Sequence, residues 1–342
     1  MWRKSGNPEV VVVTGASAGV GRACALAFAR RGAHVALLAR EPEALEEVAA
    51  QAREFGVRAL PIALDISDAD AVEAAAARAE AELGPLDVWV NNAMLTVFAP
   101  VSSLTPEEFA RVTQVTYLGC VWGTMAALKR MSARNRGSIV QVGSALAYRS
   151  IPLQSAYCGA KHAIRGFTDA LRCELLHEHS RVHLTMVQMP ALNTPQFVWA
   201  QNHMPHAPQP VAPIFQPEVA ARAIVWAAAH RRREVYVGTS TVKAIIANKL
   251  VPGWLDHYLG RTGYEAQQRA APADAVGPSN LWQPVAGAHR LHGPFDAEAK
   301  DHSVALWLDT HRPLALAATL AVAALAWRSR RNRQEPRHDD AH

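Results

Sequence analysis

Four cysteines in 342 residues, Cys24, Cys120, Cys158 and Cys173, are too few and too scattered for a disulfide framework, and none are spaced as metal-ligand pairs. They read as buried thiols of a reducing compartment, and no metal site is expected. Neither sign of charge dominates: 35 Lys and Arg stand against 30 Asp and Glu. Four of the basic residues crowd into the short run from Arg328 to Arg333, which leaves no basic face for nucleic acid. There is no apolar run of about 20 residues of the kind that spans a bilayer. Met1-Trp2-Arg3-Lys4 is followed by polar residues rather than by an apolar leader core, so a cytoplasmic location is expected.

What is present is an apolar half of the chain, ample for one large core. Short apolar runs at 10–14, 35–39, 59–64, 88–90, 138–142, 183–187 and 235–237 predict seven strands. Between them, helical periodicity rich in Ala, Leu, Arg and Glu predicts helices over 22–31, 43–55, 69–83, 106–131, 156–177 and 217–229. Such alternation implies an α/β fold, a doubly wound parallel sheet covered on both faces. This catalytic unit is expected over 1–262. A Pro-, Gly- and Ala-rich stretch over 263–312 predicts a loose linker, and 313–342 a terminal apolar helix with a basic tail. Residues 194–217 hold too many prolines for one regular element and predict a mobile lid.

Directly after the first strand comes Thr14-Gly15-Ala16-Ser17-Ala18-Gly19-Val20-Gly21. Glycines there allow a tight turn and close approach of backbone to a pyrophosphate, and the amides opening the next helix attract the anion. A plain tight turn would need the same residues; the position between a strand and a helix favours the phosphate site. The second strand ends Leu38-Ala39-Arg40, without the carboxylate that binds a ribose 2′-hydroxyl. Arg40 offers a fork for a 2′-phosphate, which favours NADP(H), or it is a solvated strand-end charge. Glu41 next to it keeps NAD(H) open.

Tyr157 and Lys161 stand four residues apart at the start of a predicted helix, on one face. A nearby ammonium favours a phenolate, so the phenol could exchange a proton with a substrate oxygen near neutral pH. Ser144, 13 residues earlier, could bond the same oxygen. Singly, each also reads as an ordinary aromatic, surface charge or turn residue.

In their order along the chain these motifs resemble the short-chain dehydrogenase/reductase family over about residues 8–253. The match runs through the 14–21 turn, Asp65-Ile66, Asn91-Asn92-Ala93, Ser144, Tyr157-x-x-x-Lys161 and Pro190-Ala-Leu-Asn-Thr194. The resemblance implies a Rossmann-type sheet and an oxidoreductase passing a hydride between a nicotinamide dinucleotide and a carbonyl or alcohol. It also implies roles. Tyr157 is the general acid or base; Lys161 lowers its pKa and binds the nicotinamide ribose; Ser144 orients the carbonyl. Asp65 and Ile66 flank the adenine, Asn92 and Ala93 the adjacent ribose. Pro190 and Thr194 line the nicotinamide. The chain departs from the family at Met94 and Ala191, where Gly is usual, and at Thr116, where a helical Asn completes the catalytic set by holding a water. Those departures keep a second reading open, a dinucleotide-binding sensor or scaffold without turnover.

Three expectations concern partners. Leu171, Leu175 and Leu176, with the long helices that carry apolar residues on several faces, predict a homodimer or homotetramer. Met94, Phe197, Trp199 and Phe215 suit either an apolar substrate or the core. The stretch 314–327 holds seven Ala and four Leu ahead of the arginine run, which suits shallow attachment to an anionic membrane surface or packing on protein.

Overall fold

The computed structural model describes residues 8–272, 278–287, 289–314 and 327. Seven parallel strands form the central sheet: β1 (Val10–Thr14), β2 (His34–Ala39), β3 (Ala59–Ala63), β4 (Val88–Asn91), β5 (Gly137–Ser144), β6 (Val182–Met189) and β7 (Glu234–Tyr236). Their spatial order is β7-β6-β5-β4-β1-β2-β3. β1, Val-Val-Val-Val-Thr, is buried along its whole length, because helices cover both faces of a parallel sheet. Val11 lies in register with Val35 of β2 on one side and Val88 of β4 on the other. The chain reverses its winding between β1 and β4, which opens a crevice at their carboxyl ends.

Helices α1 (Gly19–Ala29) and α2 (Pro42–Arg53) cover one face, joined there by α7 (Pro217–Ala229). On the other lie α3 (Ala69–Leu83), α4 (Pro106–Thr113), α5 (Gly119–Ala133) and α6 (Ser155–His177). Several starts are locally encoded. Asp68 caps α3, and Thr105 with Glu108 forms a capping box at α4. α1 begins differently: Ala18 at its N-cap has no side-chain cap, so its first amides face outward from the glycine turn.

The helix expected over 106–131 is interrupted. A π-helical turn, Gln114–Leu118, separates α4 from α5. Periodicity cannot register one extra residue in a turn, and such turns recur at functional sites. After β7 come α8 (Thr239–Leu250) and α9 (Pro252–Thr262), and near the end α10 (Val304–Thr310). Ser303 caps α10 and donates to the Val237 carbonyl (2.5 Å), while Asp309 accepts from the Tyr236 amide (3.0 Å), fastening α10 to the sheet edge.

The stretch expected to be a loose linker is packed where it is described. Leu281 and Phe295 are buried, and Lys300 bridges to Phe215. The segment docks through backbone carbonyls and isolated apolar anchors, which leave no periodic signature. The 194–217 region is likewise stitched in place. Ala191–Leu192 pairs with Ile214–Phe215, Gln201–Asn202 with Val97–Phe98, and His206–Pro208 with Gln268–Pro272. Of the expected terminal apolar helix, 315–326 lie outside the described residues, as does the arginine run.

Candidate active site

A cavity of about 510 Å³ opens at the carboxyl ends of β1, β4 and β5. The glycine turn forms its floor through Gly15, Ser17, Ala18, Gly19 and Val20. Arg40, Asp65 and Ile66 stand at one end, Asn92 and Ala93 in the middle, and Ser144, Tyr157, Lys161, Pro190 and Thr194 at the other. Met94, Phe197 and Trp199 also face it, whereas Phe215 is buried in the core beside α7 and contributes nothing to the lining.

Close packing explains the glycines. Gly15 and Gly19 have φ of +67° and +50°, the left-handed region that favours glycine. Gly21 does not line the cavity. A Cβ on it would lie 2.0 Å from the Gly15 carbonyl oxygen, so its role is to seat α1 against the turn. Asn92 braces the same turn. Its side-chain amide donates to the Thr14 carbonyl (2.9 Å), and its backbone N–H to the Thr14 hydroxyl (2.9 Å). Asp65 is committed to Arg111 and to the Ser67 amide and hydroxyl, contacts that hold its carboxyl below the usual range against the opposing effect of burial.

At the other end, the Ser144 hydroxyl accepts from the Leu146 amide (3.1 Å) and stands beside Tyr157. The Lys161 ammonium donates to the Val142 carbonyl (2.6 Å) and lies 5.5 Å from the centre of the Tyr157 ring. Lys161 does not hold the tyrosine low here. Burial pushes Tyr157 well above the ordinary phenol value, and the neighbouring Ser144 hydroxyl only partly opposes this. Lys161 is itself desolvated and brought down from 10.5 to about 8.

That depression carries a stability consequence. Folding must bury a charged lysine below its folded pKa, so Lys161 costs stability in full below about pH 8. The cost fades as pH rises from there to about 10.5, where the unfolded chain also loses the proton. At 1.36 kcal/mol per unit this is on the order of 3 kcal/mol. Lys161→Met should therefore melt higher than wild type at pH 7, with the gap closing towards pH 10.5. A variant that melts lower at pH 7 would show that the Val142 bond outweighs desolvation.

Thr116 departs from its expected place in a water relay. Its hydroxyl donates to the Leu95 carbonyl (3.1 Å) and accepts from the Leu95 amide (3.0 Å), fully buried and away from the cavity lining. It fastens the π-turn to the loop after β4. Sequence reasoning also missed lining from α8 and α9, including Ser240, Thr241 and Tyr258, and from the C-terminal segment, including Asn280 and His289. Nothing in the local pattern of those stretches marks them as site residues.

The geometry suits a dinucleotide: a cavity of about 510 Å³, a floor that turns through two glycines at positive φ and a helix start with no side-chain cap. Comparison with known proteins agrees. A family model described as short chain dehydrogenase matches residues 9–203. The chain is 32% identical over 283 residues to the uncharacterized oxidoreductase YxnA of Bacillus subtilis, covering 82% of this chain and 80% of that protein. Among solved structures, an alcohol dehydrogenase from Thermococcus sibiricus complexed with 5-hydroxy-NADP is similar at TM-score 0.58 and 27% identity, covering 67% of this chain and 96% of that one. An NAD+-bound xylitol dehydrogenase is similar at TM-score 0.52 and 30% identity, covering 55% and 72%. With the winding of the sheet, the glycine floor and the family match all in agreement, the chain belongs to the short-chain dehydrogenase/reductase family of oxidoreductases.

Proposed function

We propose that this protein transfers a hydride between NADP(H) and an apolar carbonyl or alcohol substrate, with Tyr157 exchanging the proton. The observation that carries this reading is the convergence of Ser144, Tyr157 and Lys161 on the cavity whose floor is the glycine turn. A bound nicotinamide supplies or accepts the hydride. In reduction the Tyr157 hydroxyl gives its proton to the substrate oxygen, and the Ser144 hydroxyl bonds the same oxygen as negative charge develops on it. The Lys161 ammonium, anchored on Val142, is placed to bind the nicotinamide ribose. Met94, Phe197 and Trp199 give the remaining wall an apolar character.

Preference for the 2′-phosphate rests on Arg40 and on the missing carboxylate at Ala39. NADPH should bind more tightly than NADH in a fluorescence titration, and Arg40→Ala should narrow the gap by about tenfold or more, the range of a hydrogen bond to a charged group. Equal wild-type affinities would defeat the preference. No NADPH oxidation with any of a broad carbonyl panel, despite tight binding, would favour the sensor reading.

The homo-oligomer and membrane readings belong here too. Leu171 and Leu175 are buried within the subunit itself, so of the three leucines only Leu176 supports pairing, together with exposed Phe109 and Met125 on the neighbouring helices. Among the described residues no helix is long and apolar enough to cross a membrane. The bend between α8 and α9 exposes Leu250, Val251 and Trp254 beside Lys249, a composition that suits a membrane surface. Light scattering of the full chain, and its sedimentation with anionic liposomes, test the two readings: a monomer defeats the first and no sedimentation the second.

A further inference from the structure

Residues 278–287 and 289–296, expected to be slack, run as a strap across the dinucleotide groove. One end is pinned by Leu281, fully buried in the core that includes α3, with its carbonyl accepting from the buried Arg111 Nε (3.0 Å). The same arginine pairs with Asp65. The carbonyls of Asn280 and Trp282 accept from the two terminal nitrogens of Arg40. Further along, the His289 carbonyl accepts from Arg22 Nη1 (2.8 Å), and the Arg290 carbonyl accepts from the Gly19 amide (3.0 Å). At the far end Gly293 passes so close to Thr194 that a Cβ would lie 2.5 Å from the Thr194 carbonyl oxygen. Asp296 then accepts from the side-chain amides of Asn193 (2.8 Å) and Gln216 (3.0 Å).

The strap thus faces the positive groups of the groove with partial negative charge. Gly19 and Arg22 each donate to one of its carbonyls, and Arg40 donates to two. Of these, Gly19 and Arg40 line the cavity and are groups to which a dinucleotide would bring its phosphates. One strap side chain is also poised for that anion. His289 lines the cavity, its ring centred 5.1 Å from that of Trp199, and both ring nitrogens are buried without a hydrogen-bond partner. Burial pulls the His289 imidazole below its ordinary pKa, which the nearby Glu41 carboxylate and the Val285 carbonyl, beside the ring without hydrogen-bond geometry, only partly oppose. Buried ring nitrogens on a half-buried imidazole that make no hydrogen bond are costly, and the cost is recovered when a ligand supplies the partner. The backbone of His289 and Arg290 lies over the first turn of α1, where backbone amides point at a bound anion.

We infer that the strap is a wall of the cofactor site, that the His289 ring donates a hydrogen bond to a pyrophosphate oxygen of the bound dinucleotide, and that the cofactor enters and leaves only when the strap lifts. This rests on the nicotinamide reading above. A neutral imidazole suffices, because it always carries one N–H. Pyrophosphate is common to both cofactors, so the His289 contact governs retention rather than the choice between them, which separates His289 from Arg40.

Full-length wild type, His289→Ala and Leu281→Ala should be compared with NADPH, NADH and adenosine 2′-monophosphate as probes. His289→Ala should weaken NADPH and NADH alike, by about tenfold or more, and leave the monophosphate unchanged, because that probe lacks the pyrophosphate. Leu281→Ala, which frees one end of the strap, should speed NADPH release in a stopped-flow chase by a similar factor. Hydrogen exchange across 278–296 of the wild type should slow when NADPH binds. If Leu281→Ala fails to fold, His289→Ala and the wild-type exchange still decide. The inference is overturned if wild type binds NADPH while His289→Ala changes neither affinity and exchange in the strap is unaffected. If wild type binds neither dinucleotide, the nicotinamide reading itself fails and the strap loses its ligand with it.

Discussion

Tyr157→Phe should lower turnover by at least about 10²–10⁴-fold while dinucleotide affinity stays nearly unchanged. The substitution removes one oxygen and keeps the ring that packs with the core and stands 5.5 Å from the Lys161 ammonium. Ser144 keeps its bond from the Leu146 amide, so the remaining hydroxyl stays in place, although it cannot supply a proton as readily as a phenol. Burial holds the Tyr157 hydroxyl protonated across the neutral range, which is the form that a carbonyl reduction consumes. The reverse reaction needs the phenolate, so alcohol oxidation should accelerate as pH rises, and carbonyl reduction should not. Steady-state rates in both directions across pH 6–10, alongside cofactor titration of the variant, would test this. Turnover in a folded Tyr157→Phe protein within a few fold of wild type would remove the tyrosine from the mechanism.

The second large effect is geometric. Gly21→Ala should weaken dinucleotide binding by about 100-fold and lower the melting temperature, since overpacking of this kind costs roughly 1–3 kcal/mol or more. The new methyl would stand 2.0 Å from the Gly15 carbonyl oxygen and 2.7 Å from the Asn92 amide nitrogen. Backbone cannot turn aside as a flexible side chain can, so the start of α1 must move away from the turn. That displaces the Val20 amide and spoils the floor of the cavity. Gly159→Ala, in the first turns of α6, is the matched control. Nothing lies within 4 Å of a Cβ there, and alanine in a helix should add up to about 1 kcal/mol of stability. Equal behaviour of the two variants in thermal melts and titrations would mean that the turn tolerates far more movement than its contacts imply.

The predicted strand ends fall within two residues of those observed because each is a short, buried apolar run flanked by polar turns. The glycine turn was equally plain. Its residues are adjacent in the chain, and the physics that demands them acts over eight positions. Tyr157 and Lys161 are legible for the same reason, one helical turn apart on α6. Ser144 required the family's spacing, since its approach to Tyr157 depends on how β5 and α6 pack.

Other parts of the site had no local signal. Thr116 looked like a substitute for a catalytic asparagine. Only the fold reveals that its hydroxyl is spent in both directions on Leu95, 21 residues away. Arg40 reads as a phosphate fork from its place at the end of β2, but the sequence does not show that it also meets carbonyls some 240 positions along the chain. The 278–296 strap has neither helical nor strand periodicity, because it binds through its own carbonyls and two isolated apolar anchors. Sequence by itself determined the strand-helix alternation, the dinucleotide turn and the Tyr–Lys pair, all set by interactions within a few residues. The tertiary structure alone decided what encloses the cofactor groove and which polar groups are already engaged, because those contacts join distant segments and leave no trace in the order of residues along either one.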